Sequence, residues 1–240
     1  MVLWRHLRVH DHVAERMISV AFDGTDFFLL SNSLCVGWTQ FSISLWYSPS
    51  VVNHDMGLFY EYSQSSATGV CIWRDEYASG DRYAMVFNDA AGHQFFQYTP
   101  DGSACGLNET DHVVITFDGD NEVRCFINGV EDANSPWACP TVGNIKYYGA
   151  GNFYLGGSLA GKLMEGTMWE VAIWEGVLAD ADVARLYAGG QAVYRMPLAM
   201  PAAPAAYWPM VGGQGTCTYL PDDSGNGHGG EEVGDPQWAA

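Results

Sequence analysis

Three glutamates, Glu165, Glu170 and Glu175, recur at intervals of five and form the clearest carboxylate series in the chain. Two carboxyl groups facing each other across a cleft are the machinery of glycoside hydrolysis. On an extended strand, however, an odd separation sends side chains to opposite faces. The spacing therefore argues against an acid–nucleophile pair. No Gly-x-Ser-x-Gly elbow is present either. His6, His10 and His12 flank Asp11 and would offer metal ligands on a helical segment, but they read more simply as surface histidines.

Other residues suit binding better than catalysis. Trp73, Tyr77 and Tyr83 bracket the polar run between Arg74 and Arg82, and Trp137, Tyr147 and Tyr148 occupy a second loop-rich region. An aromatic face stacks on a sugar ring while neighbouring Asp and Arg hold its hydroxyls. The alternatives are core packing and anchoring at a protein interface. Asp23, Asp26, Asp118, Asp120 and the pair Asp222–Asp223 sit in turn-like sequence. Their hard oxygens suit calcium, although aspartates in turns commonly bond their own backbone. The six cysteines show no C-x-x-C spacing, so zinc and redox motifs are not expected. Reduced thiols are expected, with Cys71 and Cys125 as small core residues.

The elements that must position these groups follow from composition and period. Of 240 residues, 48% are hydrophobic, 14% aromatic and only 16% charged, with 28 glycines, which describes short strands and tight turns rather than a disordered chain. The net charge of −18 disfavours a nucleic-acid partner. No apolar run is long enough to span a bilayer. Residues 1–17 differ from the rest: apolar positions near helical spacing, basic residues between them, and no secretion signal. Leu3, Trp4, Arg5, Leu7 and Arg8 would form an assembly arm on a protein made in the cytoplasm.

From residue 18 the period is two. Phe41, Ile43 and Leu45 alternate with Ser42 and Ser44, and residues 113–117 form a nearly continuous apolar run expected to be covered on both faces. Further strands are expected at 57–62, 69–73, 82–87, 93–98, 123–127, 153–155 and 167–174. A helix is expected over 178–187, with Asp180 as its N-cap and Gly189-Gly190 as its stop. Residues 191–206, rich in proline and alanine, read as a stiff linker. These short strands predict an all-β, two-sheet antiparallel sandwich with one short helix and terminal extensions.

The ordered series Phe22-Asp-Gly-Thr-Asp26, Phe41 to Trp46, Asp111 to Asp118, Val123 to Gly129, Phe153-Tyr-Leu-Gly-Gly157, Gly166 to Trp174 and the helix resembles the laminin-G-like branch of the concanavalin A-like jelly rolls. The resemblance spans residues 18–190. It implies a jelly roll that binds glycans or proteins, or builds surfaces. It also implies Asp23 and Asp26 as the ligands if calcium is bound, with no cofactor required. The catalytic jelly-roll spacing Glu-x-Asp-x-x-Glu is absent, so no enzymatic activity is expected. Trp169-Glu170 stands where relatives often carry Asp-Glu.

Residues 207–240 resemble the opening strand and loop of that family, displaced to the end of the chain. They would close the jelly roll in cis or in a neighbour. Arm, tail and missing secretion signal together predict a structural or adhesive protein acting in multiple copies. Its partners would be other copies of itself or a capsid or surface lattice protein, as in a phage decoration or fibre-associated component on a virion surface. The alternative is a glycan-binding lectin, with or without calcium, whose Trp and Tyr loops carry affinity.

Overall fold

The computed structural model describes residues 19–30, 33–63, 68–77, 80–119, 122–139, 144–145, 153–158, 161–188, 190, 192–211 and 215–239. The expected assembly arm (Leu3, Trp4, Arg5, Leu7, Arg8), the ring pair Tyr147 and Tyr148, and Asp120 lie outside the described residues.

The described chain begins with β1 (Ser19–Asp23), β2 (Phe27–Leu30), β3 (Phe41–Pro49), β4 (Met56–Ser63), β5 (Thr68–Asp75) and β6 (Arg82–Asn88). It continues through β7 (Gln94–Tyr98), β8 (Asp111–Phe117), β9 (Glu122–Ile127), β10 (Val130–Glu131), β11 (Trp137–Ala138), β12 (Phe153–Leu155) and β13 (Glu165–Trp174). After the helix α1 (Asp180–Tyr187) and a 3-10 turn (Met196–Ala199) come β14 (Ala206–Trp208), β15 (Tyr219–Leu220), β16 (Gly230–Val233) and β17 (Gln237–Ala239). Two antiparallel sheets result. The nine-stranded sheet runs β10-β9-β8-β3-β13-β1-β17, with β11 also on β9 and β14 on β13. The eight-stranded sheet runs β15-β16-β2-β12-β4-β5-β6-β7.

The alternation read from β3 is present: Phe41, Ile43 and Leu45 enter the core between the sheets. They meet Val113, Ile115 and Phe117 of β8 from the same sheet, with Phe28, Phe59, Phe87 and Phe153 from the other. Each such side chain contributes about 1.5–3 kcal/mol on burial. The outward positions of the nine-stranded sheet are buried too, because α1 and the 3-10 turn lie on them. Val114, Ala172, Trp174 and Tyr207 pack there against Leu178, Val183, Leu186 and Met200. Residues 191–206 therefore do not stand away from the domain as a linker; Pro197 and Met200 are buried, and Trp174 Nε1 donates to the Ala202 carbonyl at 3.0 Å. Trp46 sits on a central strand, stacked on His112 at 4.7 Å and on Tyr187 at 5.8 Å.

Two local expectations change. The helix starts one residue earlier in capping terms: Ala179 is the N-cap with no side-chain bond, while Asp180 pairs with Arg124 at 2.5 Å. Its end is set by Ala188 in the left-handed region at φ 44°. In β13 the period of two breaks at a bulge between Trp169 and Ala172, where Glu170 adopts φ 50°. The extra residue lets Met168 and Val171, an odd distance apart, both face the core.

The C-terminal stretch is woven into the same chain's sheets. Trp208 pairs with Val171, Gly230 to Val233 pair with β2, and Gln237 to Ala239 pair with β1. All six cysteines are buried free thiols. Among the described residues no helix is long and apolar enough to cross a membrane.

Candidate functional site

The two sheets treat their outer faces differently. No described helix lies over the eight-stranded sheet, and its outward positions mix aromatic with small and aliphatic side chains. One register line crosses six strands through Leu29, Tyr154, Tyr60, Cys71, Val86 and Phe96. A second line two residues along carries Trp73, Ala84 and Tyr98. Neighbours on such lines have their Cβ atoms about 5 Å apart, so Tyr154 with Tyr60 and Trp73 with Phe96 and Tyr98 form two ring groups, with Cys71, Val86 and Ala84 between them.

A groove of about 360 Å³ opens at this layer. Buried Tyr60, Cys71, Trp73 and Val86 line its inside, and Phe96 stands beside them with 43% of its surface exposed. The Phe96 ring lies nearly parallel to Trp73, with centroids 5.7 Å apart and planes at 21°, and Tyr98 meets Phe96 at 4.8 Å. Trp73 is thus the base under an exposed ring rather than the exposed ring itself.

Polar groups border the rings. Asp75 accepts the Trp73 indole N–H at 3.3 Å and the Arg82 Nε–H at 2.9 Å. Arg82 also donates to Asp101 at 3.1 Å, and its guanidinium carbon lies 4.0 Å from the Tyr77 ring centroid and 3.8 Å from that of Tyr98. Burial works against the Arg82 charge, but Asp75 and Asp101 outweigh it and raise its pKa. Lys162 pairs with Asp55 and lies 5.3 Å from the Trp73 centroid. Burial, with Asp75 next, holds the Tyr98 phenol above its ordinary value, so it stays a neutral hydroxyl.

The order of motifs along the chain and this sandwich agree with a family match over residues 22–184. The chain belongs to the concanavalin A-like lectin/glucanases superfamily. No curated protein matches this superfamily member. Among solved structures it is similar to a Bacteroides ovatus protein described as a candidate carbohydrate binding protein, at 14% identity and TM-score 0.66, covering 93% of this chain and 60% of that one. A heptameric pentraxin from Limulus polyphemus is similar at 13% identity and TM-score 0.53, covering 93% of this chain and 96% of the other. Domain 4 of an extracellular arabinanase from Geobacillus stearothermophilus, solved with arabinotriose, is similar at 19% identity and TM-score 0.50, covering 70% and 76%. At these identities the likeness is one of fold.

Within this superfamily member the residues singled out from sequence scatter. Trp73 lines the groove and Tyr77, 49% exposed, flanks it through Arg82. Tyr83 does not belong to the site: it is fully buried on the opposite face of β6, its hydroxyl bonded to Tyr47 at 2.9 Å and to Asp111. The reason is parity, since Arg82, Ala84 and Val86 take the outward positions. Trp137 is likewise a core residue, 8% exposed and edge-on to Phe95. The site residues that sequence reasoning passed over are Phe96, Tyr98, Tyr60 and Tyr154. The signal for the first two was present, because Gln94, Phe96 and Tyr98 alternate along an expected strand.

In the turn expected to hold calcium, the two carboxylates bond to the chain itself. Asp23 Oδ1 accepts the Thr25 backbone N–H at 2.9 Å and its hydroxyl at 2.6 Å. Asp26 is 1% exposed and accepts N–H groups at both oxygens, from Asp23 at 3.1 Å and Asp235 at 2.7 Å. Asp23 Oδ1 and both oxygens of Asp26 thus brace the turn. Among the described residues no group of three or more His, Cys, Asp or Glu is placed to hold a metal. Nor do the three glutamates converge. Glu165 faces His54 at 3.7 Å, Glu170 is buried against Tyr207, and Glu175 is exposed beyond the strand.

Proposed function

We propose that this protein is a non-catalytic carbohydrate-binding module that takes a saccharide into the groove on the outer face of the eight-stranded sheet. The observation that carries the reading is the contrast between the two outer faces. One is closed by the chain's own helix, and the other carries a groove walled by buried Tyr60, Cys71, Trp73 and Val86, with Phe96 exposed at its mouth and fixed charges at its border. Phe96 and Tyr98 offer faces to the C–H side of a pyranose or furanose. Asp75, Arg82 and the Tyr98 hydroxyl sit where ring hydroxyls would fall. Their mutual bonds hold these groups in place before the ligand arrives, which lowers the ordering cost of binding.

That the arabinanase domain carries arabinotriose on the same fold agrees with this reading. The multi-copy virion reading rests on the tail, the missing secretion signal and an arm that lies outside the described residues, and nothing in the comparisons supports it. A glycan array probed with the full chain and with Phe96→Ala tests the proposal, each repeated in EDTA. Selective binding that survives EDTA and is lost in the variant is expected. Absence of binding, or binding indifferent to Phe96, would overturn it.

A further inference from the structure

The charges around the groove do not add up to an anion site. Arg82 is the cation nearest the exposed rings, and it is already committed. Its Nε and one terminal nitrogen donate to Asp75 and Asp101, at 2.9 and 3.1 Å, and both tyrosine rings pack on its guanidinium. A guanidinium that recognises a carboxylate or sulfate presents two parallel N–H bonds to it. Here the edge through Nε faces Asp75, and the ring contacts fix the plane so that it cannot swing away.

Lys162, the second cation, is matched by Asp55, whose other oxygen accepts the Glu76 N–H at 2.8 Å. Among the described residues three carboxylates, Asp55, Asp75 and Asp101, therefore accompany two cations. The whole chain, at −18, adds a repulsive field of the same sign. A neutral sugar meets none of this opposition, since it carries no charge and its hydroxyls donate as well as accept.

We infer that the groove selects uncharged saccharides and rejects those carrying carboxylate or sulfate on the ring that stacks on Phe96. The inference rests on the reading of the groove as a saccharide site. Rejection comes from the carboxylate excess, and stacking on the rings is indifferent to charge.

The test uses the full chain and three neutral hexamers (cellohexaose, mannohexaose and galactohexaose), each beside its counterpart oxidised at C6 to the uronate. At least one neutral oligomer is expected to bind ten times or more tightly than its uronate. Asp101→Asn, which removes one carboxylate at a position 37% exposed, should narrow that ratio. A uronate that binds as well as its neutral partner, with both lost in Phe96→Ala, would overturn the charge selection and leave the saccharide site standing. A ratio unmoved in Asp101→Asn would overturn the assigned cause. Absence of binding to all six oligomers would overturn the site and the selection together.

Discussion

The Tyr207 hydroxyl lies 2.7 and 2.8 Å from the two oxygens of Glu170, joining the C-terminal stretch to the bulge of β13. Burial drives the Glu170 pKa up to about 8 against an ordinary 4.5; the Tyr207 and Arg195 hydrogen bonds oppose the rise only in part. Glu61, buried beside Cys35, is raised to about 7 by the same desolvation.

These two shifts set a pH dependence. Between pH 4.5 and 8 the folded chain keeps protons that the unfolded chain has released, so stability falls as pH rises through that window. Denaturant midpoints taken from pH 5 to 9 should decline and then level near 8. Glu170→Gln, which keeps an acceptor for Tyr207, should remove the decline between about pH 7 and 8 and roughly halve the slope below 7, where Glu61 supplies the remainder. An unchanged slope in the variant would contradict this assignment.

Phe96→Ala should weaken saccharide binding about tenfold, the loss of roughly 1.4 kcal/mol from one buried ring face. Its thermal midpoint should stay within about 2 °C of the parent, because the ring is largely outside the core. Val130→Ala, on the other sheet and 70% exposed, serves as the control and should change neither property. Titration calorimetry and a melting curve on each variant decide the matter.

Tyr83→Phe should do the reverse. Removing the hydroxyl leaves Asp111 and Tyr47 short of a partner inside the core, a cost of about 1–3 kcal/mol. Saccharide affinity should be unchanged, since Tyr83 faces away from the groove. A loss of affinity without a loss of stability would return Tyr83 to the site.

The contrast between Tyr83 and Phe96 shows where the sequence was readable. Strand positions, the helix and the two-sheet sandwich followed from period and turn residues, and so did the burial of residues 113–117. Which aromatic faces outward depends on the parity of each strand, and parity is reset wherever a bulge inserts a residue. Such bulges occur between Gly57 and Phe59 and again after Trp169, with no sequence mark at either place. The bracing role of Asp26 was hidden for a different reason: one of its partner N–H groups comes from Asp235, 209 residues away, which no local pattern announces.

Gly156→Ala should destabilise the domain by about 2–4 kcal/mol. Gly156 has φ 78°, and an added Cβ would lie 2.4 Å from the Phe22 ring, so the Gly-Gly motif and the Phe-Asp-Gly motif are parts of one contact. Thermal melting that differs by less than 1 °C from the parent would mean that Phe22 gives way at little cost.

The integration of the tail into both sheets bears on synthesis at the ribosome. β1 and β2 emerge first, yet their partners β17 and β16 emerge last. For roughly two hundred residues of elongation each of these early strands carries an edge with unpaired N–H and C=O groups, the condition under which nascent chains associate with one another. A stalled or truncated translation product would therefore be the aggregation-prone species, and the sandwich can close only after the last strands have left the exit tunnel.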